Sequence, residues 1–259
     1  MLRSNETCES EIDTRAPAHV GHSRSARILR DYRNFAEFEM LCGTVGDHWL
    51  SRREQAELSA WRDERRRRAW LLGRAVAKRL VAGFIALRAE PSSVPPEAIE
   101  ILSRDTAGRV NRPLVWIEGR LRPWSLSISH SHRGVLAALA GSDTVSLGVD
   151  LADSAAFGDG FVELWFTPAE REWFVETGST SIACFIWAAK EALYKACNTG
   201  ESFAPREFEI RPDGRASYRG RSLVGCRLQS FTIDSQLAVV ASVARDPALT
   251  RLSPTATNG

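Results

Sequence analysis

The sequence predicts an α+β fold of two similar subdomains, each a long helix packed on a small, mostly antiparallel sheet. Helical patterns over 50–87 and 186–196 alternate with short apolar runs that are typical of strands. A faint internal repeat is visible in the sequence. LLGRAVAKRL resembles IWAAKEALYK, with Arg74 aligned with Lys190, and VLAALA resembles VVASVA. Chance similarity between amphipathic helices is the alternative explanation. If the repeat is a duplication, a ligand cleft and active site are expected at the interface of the subdomains.

The first subdomain is expected at 26–133, after a disordered leader at 1–25 that is polar, mixed in charge and aperiodic. Ser51 and Glu54 have the spacing of a capping box, which predicts a helix over 50–87. This helix carries a run of four arginines in its first half.

Short strands are expected at 115–117 and 125–128, the latter leading into the polar turn SHSHRG. The apolar runs 135–140 and 146–149 flank Gly-Ser-Asp at 141–143. Such a pair is typical of a β-hairpin, and its second strand leads directly into an aspartate.

The second subdomain is expected at 134–245, before a disordered tail at 246–259. Pro168 follows Thr167 at a position typical of a helix start, and the helix over 186–196 comes next. Two further antiparallel pairs are predicted near the end of the chain, 208–210 with 216–218 and 227–233 with 237–243.

Composition excludes several classes of protein. The formal charge of +2 from 34 basic and 32 acidic residues gives no overall polyelectrolyte character. Five cysteines without a CxxC pair argue against both a disulfide framework and a zinc site. No apolar run is long enough to span a membrane, and the N-terminus lacks a signal-peptide pattern. We therefore expect a cytoplasmic protein.

Two acidic residues stand out by their positions. Asp150 follows the apolar strand LGV, and Glu191 lies midway along the helix in KEALYK. Oxygen ligands of this kind can hold Mg²⁺, with substrate phosphates and water completing the octahedron. Lys190 and Lys195 flank Glu191 and are suited to neutralising phosphate oxygens. An ordinary Glu-to-Lys pair on a solvated helix is the alternative interpretation.

Further cationic groups lie elsewhere in the chain. His130 lies in the turn after a strand, Arg109 and Arg112 lie in a polar loop, and Arg65–Arg68 form the basic run. Together with the acidic pair, these cationic groups are suited to binding a polyphosphate ester. Taken singly, the histidine fits a hydrogen-bonded turn and the arginines a solvated helix face.

The order SISHS, LGVD and WAAKEALYKA resembles the 4′-phosphopantetheinyl transferases, specifically the monomeric, two-subdomain type that activates surfactin synthetase. The resemblance covers about Leu50 to Ala244. It implies that Asp150 and Glu191 bind Mg²⁺ and that Lys195 contacts the pyrophosphate of coenzyme A. It also implies further coenzyme A contacts, His130 lying near the 3′-phosphate, from Ser129, His130, Lys190, Arg109, Arg112, Arg67, Arg68 and Arg74.

The chain departs from this family at two points. Two extra residues separate Arg109 from Arg112-Pro113, so either arginine fits the family's coenzyme A loop. Ala152 stands where many relatives carry a second acidic residue, and strand alternation directs Asp153 to the other face. We therefore expect two carboxylates on the metal and a water in the third place.

The resemblance implies transfer of phosphopantetheine from coenzyme A to a serine of an apo acyl or peptidyl carrier protein, releasing adenosine 3′,5′-bisphosphate. Glu191 is the candidate base and Lys195 the residue that offsets charge on the leaving phosphate. We expect a monomer, because a duplicated chain can close its own cleft. Two alternatives are a nucleic-acid-binding module using the arginine-rich helix and an inactive relative that serves as a scaffold.

Overall fold

The structure, a computed structural model, describes residues 28–36, 49–88, 94–104, 110–153, 157, 159–197 and 200–245. The expected leader and tail, Arg109, Cys8 and Cys42 therefore lie outside the described residues. None of the described helices has the length and apolar composition needed to cross a membrane.

Helices and short strands alternate along the described chain, as an α+β fold requires. The helices are α1 (Arg52–Ser59), α2 (Glu64–Leu87), α3 (Asp159–Trp165), α4 (Pro168–Thr177) and α5 (Thr180–Cys197). The strands of the first half are β1 (Ile28–Asn34), β2 (Ile99–Arg104), β3 (Val110–Ile117), β4 (Arg120–Leu121), β5 (Ser125–His130) and β6 (Gly134–Ala140). The remaining strands are β7 (Val145–Ala152), β8 (Phe208–Ile210), β9 (Ala216–Tyr218), β10 (Arg221–Ser222), β11 (Arg227–Ile233) and β12 (Gln236–Ala244).

The described strands form four antiparallel sheets of three strands each, in the orders β1-β6-β5, β2-β3-β4, β11-β12-β7 and β10-β9-β8. Both expected strand pairs near the end of the chain are confirmed, β8 with β9 and β11 with β12. The capping box of Ser51 with Glu54 is confirmed and begins α1, and the helix start expected at Pro168 is confirmed as the start of α4, where Thr167 and Glu170 form a second capping box.

The two sheets that contain β6 and β7 lie face to face between the two long helices. One face of β6 packs against α2 in a core that includes Val135 and Leu139. The other face, with Leu136 and Ala138, packs against β7 and β12. Alternate residues of β7 and β12 then pack against α5. The order of layers is therefore helix, sheet, sheet, helix.

Two predictions of local structure are wrong. The predicted hairpin between 135–140 and 146–149 does not form, because β6 pairs with β1 and β5 whereas β7 pairs with β12. Every residue of β6 is buried, as expected for a strand covered on both faces. The single helix predicted over 50–87 is divided at residues 60–63, where Asp63 caps the start of α2 by accepting from the backbone amide of Arg66.

Candidate active site

Asp150 lies on β7 and is buried at the centre of the candidate site. Its Oδ1 accepts hydrogen bonds from Ser129 Oγ at 2.8 Å and from Lys195 Nζ at 2.7 Å. Strand β7 continues to Ala152, so Asp150 precedes the strand end by two residues rather than closing it as predicted. Its side chain faces α5, because residues alternate between the two faces of a strand.

Helix α5 contributes Glu191 and Lys195, which lie one turn apart on its surface. The Lys195 ammonium also donates to the carbonyl of Val149 at 2.9 Å and lies 3.8 Å from Glu191 Oε2. The carboxylates of Asp150 and Glu191 therefore contact one and the same ammonium group. Such a position has a negative potential that favours a cation.

The pKa of Glu191 reflects its surroundings. Burial, followed by the neighbouring charge of Asp150, raises it to about 7 against the opposing effect of Lys195. A carboxyl group with this pKa is poised to exchange a proton near neutral pH. A divalent cation shared by the two carboxylates would relieve the repulsion between them.

The close approach of α5 to β7 depends on Gly148. A Cβ atom at this position would lie 1.7 Å from the carbonyl oxygen of Ala192 and 2.7 Å from the amide nitrogen of Ala196. Both atoms belong to the helix backbone, so no side chain can move aside. The glycine of LGVD therefore lets the strand that carries Asp150 contact the helix that carries Glu191.

His130 ends β5 beside this cluster. Its ring lies against α2, because a Cβ atom on Gly73 would be only 2.7 Å from Nε2. Contact with the protein removes water from part of the ring, although His130 as a whole is exposed, and this desolvation, followed by the charges of Lys195 and Arg74, lowers the pKa of His130 to about 4. The charges of Lys195 and Arg74 both act on the imidazole, and their combined potential at this point favours an anion.

Lys190 is not part of the cluster. Its side chain is fully buried and lies 2.6 Å from Glu170 Oε2. The same ammonium donates to the carbonyls of Trp165 at 3.1 Å and Pro205 at 3.0 Å. All three N–H groups of Lys190 therefore have protein partners, and binding a ligand would require one of these contacts to break. Glu170 completes the arrangement by accepting from the amide of Ile210 at 2.8 Å.

The first half of the chain contains an arrangement of the same form. Lys78 Nζ lies 2.7 Å from Glu54 Oε2 and donates to the carbonyls of Trp49 at 2.8 Å and Pro96 at 2.9 Å. Glu54 accepts from the amide of Ile101 at 3.0 Å. We call these two arrangements the buried Glu–Lys clamps. It is Lys78, not Arg74, that makes the contacts corresponding to those of Lys190.

Arg74 lies close to the site without facing into it. It is buried, pairs with Glu57 at 3.1 Å, donates to Ser103 Oγ at 2.7 Å and lies 4.3 Å from the ring centre of Trp70. Its charge nevertheless affects His130.

The other arginines of interest lie further away. Arg112 donates to Ser146 Oγ at 3.3 Å, four residues before Asp150 on β7. Burial, followed by the charge of Arg245, lowers the pKa of Arg112 to about 10. Arg67 and Arg68 lie in the early turns of α2, and Arg68 lies 5.7 Å from the ring centre of Phe35.

Three serines of β5 were not recognised as a group from the sequence. The hydroxyl oxygens of Ser125, Ser127 and Ser129 accept from the amides of Leu147 at 2.8 Å, Val149 at 3.0 Å and Leu151 at 3.2 Å. We call this set the serine ladder. Its signal was the alternation of serine with apolar residues in SLSIS, which places the three hydroxyls on one face of a strand.

The site thus places two carboxylates and a lysine where β7 meets α5, and all three belong to the second half of the chain. Residues 146–244 match the model of the 4′-phosphopantetheinyl transferase superfamily. The phosphopantetheinyl transferase match includes Asp150, Glu191 and Lys195 and supports a transferase. It covers less than half of the chain. No curated protein matches the sequence.

The donor set is one that suits a hard divalent cation such as Mg²⁺. Within the described part of the chain, no group of three His, Cys, Asp or Glu side chains could hold a metal ion. Asp150 and Glu191 supply two carboxylates, and Mg²⁺ is commonly bound through one or two of these with substrate phosphates and water. Asp153 lies 2.8 Å from His132 Nδ1 instead of joining them.

Proposed function

We propose that the chain transfers the 4′-phosphopantetheine arm of coenzyme A to a serine of an apo acyl or peptidyl carrier protein. The supporting observation is the meeting of Asp150 and Glu191 at one ammonium group, inside the segment that matches the phosphopantetheinyl transferase model. The match gives no support to the nucleic-acid-binding alternative. We further propose that the protein acts as a cytoplasmic monomer.

Asp150 and Glu191 would hold a Mg²⁺ ion, with water in the place that Ala152 leaves without a carboxylate. When bound, this ion would stabilise negative charge on the pyrophosphate oxygens. Ser129 and Lys195 both donate to Oδ1 of Asp150, and neither bond uses Oδ2. Oδ2 is therefore the oxygen of Asp150 that we assign to the cation.

Glu191 is the proposed general base. It would take the proton of the carrier serine as the serine oxygen attacks the β-phosphorus of coenzyme A. The bond from that phosphorus to the bridging oxygen breaks, and adenosine 3′,5′-bisphosphate leaves. Lys195 would offset the charge that develops on the leaving phosphate.

His130 is the residue that we assign to the 3′-phosphate of coenzyme A. Its neutral ring, on which the charges of Lys195 and Arg74 act, would gain a proton as a phosphate dianion binds. Arg74 would act through its charge. Arg67, Arg68, Arg109 and Arg112 stay candidates for further phosphate contacts. We do not assign a ligand contact to Lys190, because all of its donors have protein partners.

The two halves of the chain are, we propose, copies of one ancestral unit. The supporting observation is the pair of buried Glu–Lys clamps, since Glu54 with Lys78 and Glu170 with Lys190 use equivalent capping boxes and equivalent carbonyls. This equivalence shifts the predicted alignment of the helices by one turn. The boundary expected after residue 133 separates β6 from its partners β1 and β5, so we place it in the connection between β6 and β7. The proposed active site then lies beside the interface of the two units.

The decisive experiment is incubation of the protein with coenzyme A, Mg²⁺ and a panel of apo carrier proteins. A mass gain of one phosphopantetheine arm on a carrier would identify the reaction and the partner. Glu191→Gln, which keeps the size of the side chain and removes its basicity, is the matched inactive control. Transfer at the wild-type rate by this variant would contradict the assignment of the base.

A further inference from the structure

The serine ladder connects the two facing sheets in an unusual way. Side-chain hydroxyls of β5, rather than backbone carbonyls, accept from the amides at the edge of β7. All three serines are buried. The ladder therefore fixes the position of one strand relative to the other at the interface beside which Asp150 lies.

The last hydroxyl of the ladder differs from the other two. Besides the amide of Leu151, Ser129 Oγ contacts Asp150 Oδ1 at 2.8 Å and Lys195 Nζ at 3.3 Å. A hydroxyl group has one donor and two acceptor sites. The Leu151 amide and the Lys195 ammonium are obligatory donors, so they take both acceptor sites. The single hydroxyl proton must therefore go to Asp150.

We propose that Ser129 is a positioning residue for the metal carboxylate rather than a contact for coenzyme A. Protein groups occupy the one donor site and both acceptor sites of its hydroxyl, so no hydrogen-bonding site is left for a ligand. By donating to Oδ1, it fixes the rotation of the Asp150 carboxyl group and thereby directs Oδ2 toward the cation. This inference rests on the proposed function.

Ser127 provides a matched control. It makes the same bond to the amide of Val149 and is equally buried, and no contact of Ser127 with Asp150 or Lys195 is seen within the described structure. Replacing either serine by alanine removes one hydrogen bond between the sheets. Only the replacement at Ser129 also removes the contact to the metal carboxylate.

The test measures Mn²⁺ binding by electron paramagnetic resonance, with the metal alone, on the full-length chain. Groups that orient metal ligands typically change metal affinity by about 10-fold to 100-fold when removed. We expect Ser129→Ala to weaken Mn²⁺ binding about 10-fold, Ser127→Ala to change it less than about 2-fold, and Ser129→Thr, which keeps the hydroxyl, to retain most of the affinity. If Ser129→Ala does not fold, Ser129→Cys replaces it in the comparison of Mn²⁺ affinity with Ser127→Ala. The cysteine side chain has a similar shape to serine, and its thiol is only a weak donor.

Steady-state kinetics provides a second readout. In the carrier-loading assay, we expect Ser129→Ala to raise the Mg²⁺ concentration needed for half-maximal rate and, at saturating Mg²⁺, to leave KM for coenzyme A unchanged, whereas loss of a coenzyme A contact would raise KM. Equal Mn²⁺ affinities of the Ser129→Ala and Ser127→Ala variants would overturn the positioning role and leave the proposed transferase intact. A wild-type chain that binds no Mn²⁺ would overturn both.

Discussion

Gly148→Ala tests whether the contact between β7 and α5 builds the site. The added Cβ would lie 1.7 Å from the carbonyl oxygen of Ala192, about half of a normal van der Waals separation of roughly 3.5 Å. Because the obstructing atoms are helix backbone, α5 as a whole must move away from the strand. Overpacking of this kind costs about 1–3 kcal/mol, and we expect the upper part of that range because nothing flexible can absorb the strain.

The displacement of α5 also carries Glu191 and Lys195 away from Asp150. A misplacement of about 1 Å can lower catalysis about 100-fold, so we expect a loss of that size in carrier loading. The free energy of unfolding is measured by urea titration, and Mn²⁺ affinity reports the separation of the carboxylates. Gly83→Ala is the control, because Gly83 lies inside α2 with open space around it and should gain up to about 1 kcal/mol. A Gly148→Ala variant with wild-type stability and Mn²⁺ affinity would refute the reasoning.

Three further predictions concern charged residues. Asp150→Ala should remove the response of carrier loading to Mg²⁺, because the variant no longer holds the ion. Titration of Mg²⁺ in the carrier-loading assay measures this response, and a curve equal to that of the wild type would contradict the role of Asp150 as ligand. In metal-free buffer, native Glu191 keeps its proton above its ordinary pKa of 4.5, so stability should fall as the pH rises from about 4.5 to about 7. The full shift corresponds to about 3 kcal/mol, which partial exposure reduces to about 1–2 kcal/mol, and the difference between wild type and Glu191→Gln across this pH range measures it. A constant difference would argue against the raised pKa. Lys190→Met should cost about 3–5 kcal/mol in urea titration because it leaves the Glu170 carboxylate buried without an opposite charge, and Lys78→Met should cost a similar amount. A Lys190→Met variant that keeps its stability and loses affinity for coenzyme A would instead favour a ligand contact.

Local patterns predicted the helix over 186–196, the capping box at Ser51, the helix start at Pro168 and the last strand pairs, because each depends on residues near one another in sequence. The partner of β6 could not be predicted in this way. Its apolar run and the turn residues after it fit a hairpin as well as they fit a strand between two others. Pairing was decided by burial on both faces, which depends on distant residues of α2 and β12.

The burial of Lys190 has a signal in the sequence. Lys190 and Glu191 are adjacent, and successive residues of a helix point about 100° apart. Lys190 therefore shares a stripe with Ile186, Leu193 and Cys197, all of which are buried. A lysine on an apolar stripe is expected to have a buried acidic partner, and Glu170 provides it. Which acidic residue pairs with it is decided by tertiary packing.

Alignment of the two halves by the buried Glu–Lys clamps indicates why only the second half carries the acidic pair. Alignment by the clamps places Arg79 opposite Glu191 and Gly83 opposite Lys195. Arg79 lies 3.2 Å from Asp31 on β1, so an ion pair occupies that part of the first half. The clamps depend on contacts between opposite charges within each half. Asp150 and Glu191, in contrast, place two acidic groups side by side, and the charge of Asp150 contributes to the raised pKa of Glu191. Such an arrangement carries an electrostatic cost that the proposed function can justify in one half of the chain. The other half contributes His130 and Ser129 from β5 to the proposed site.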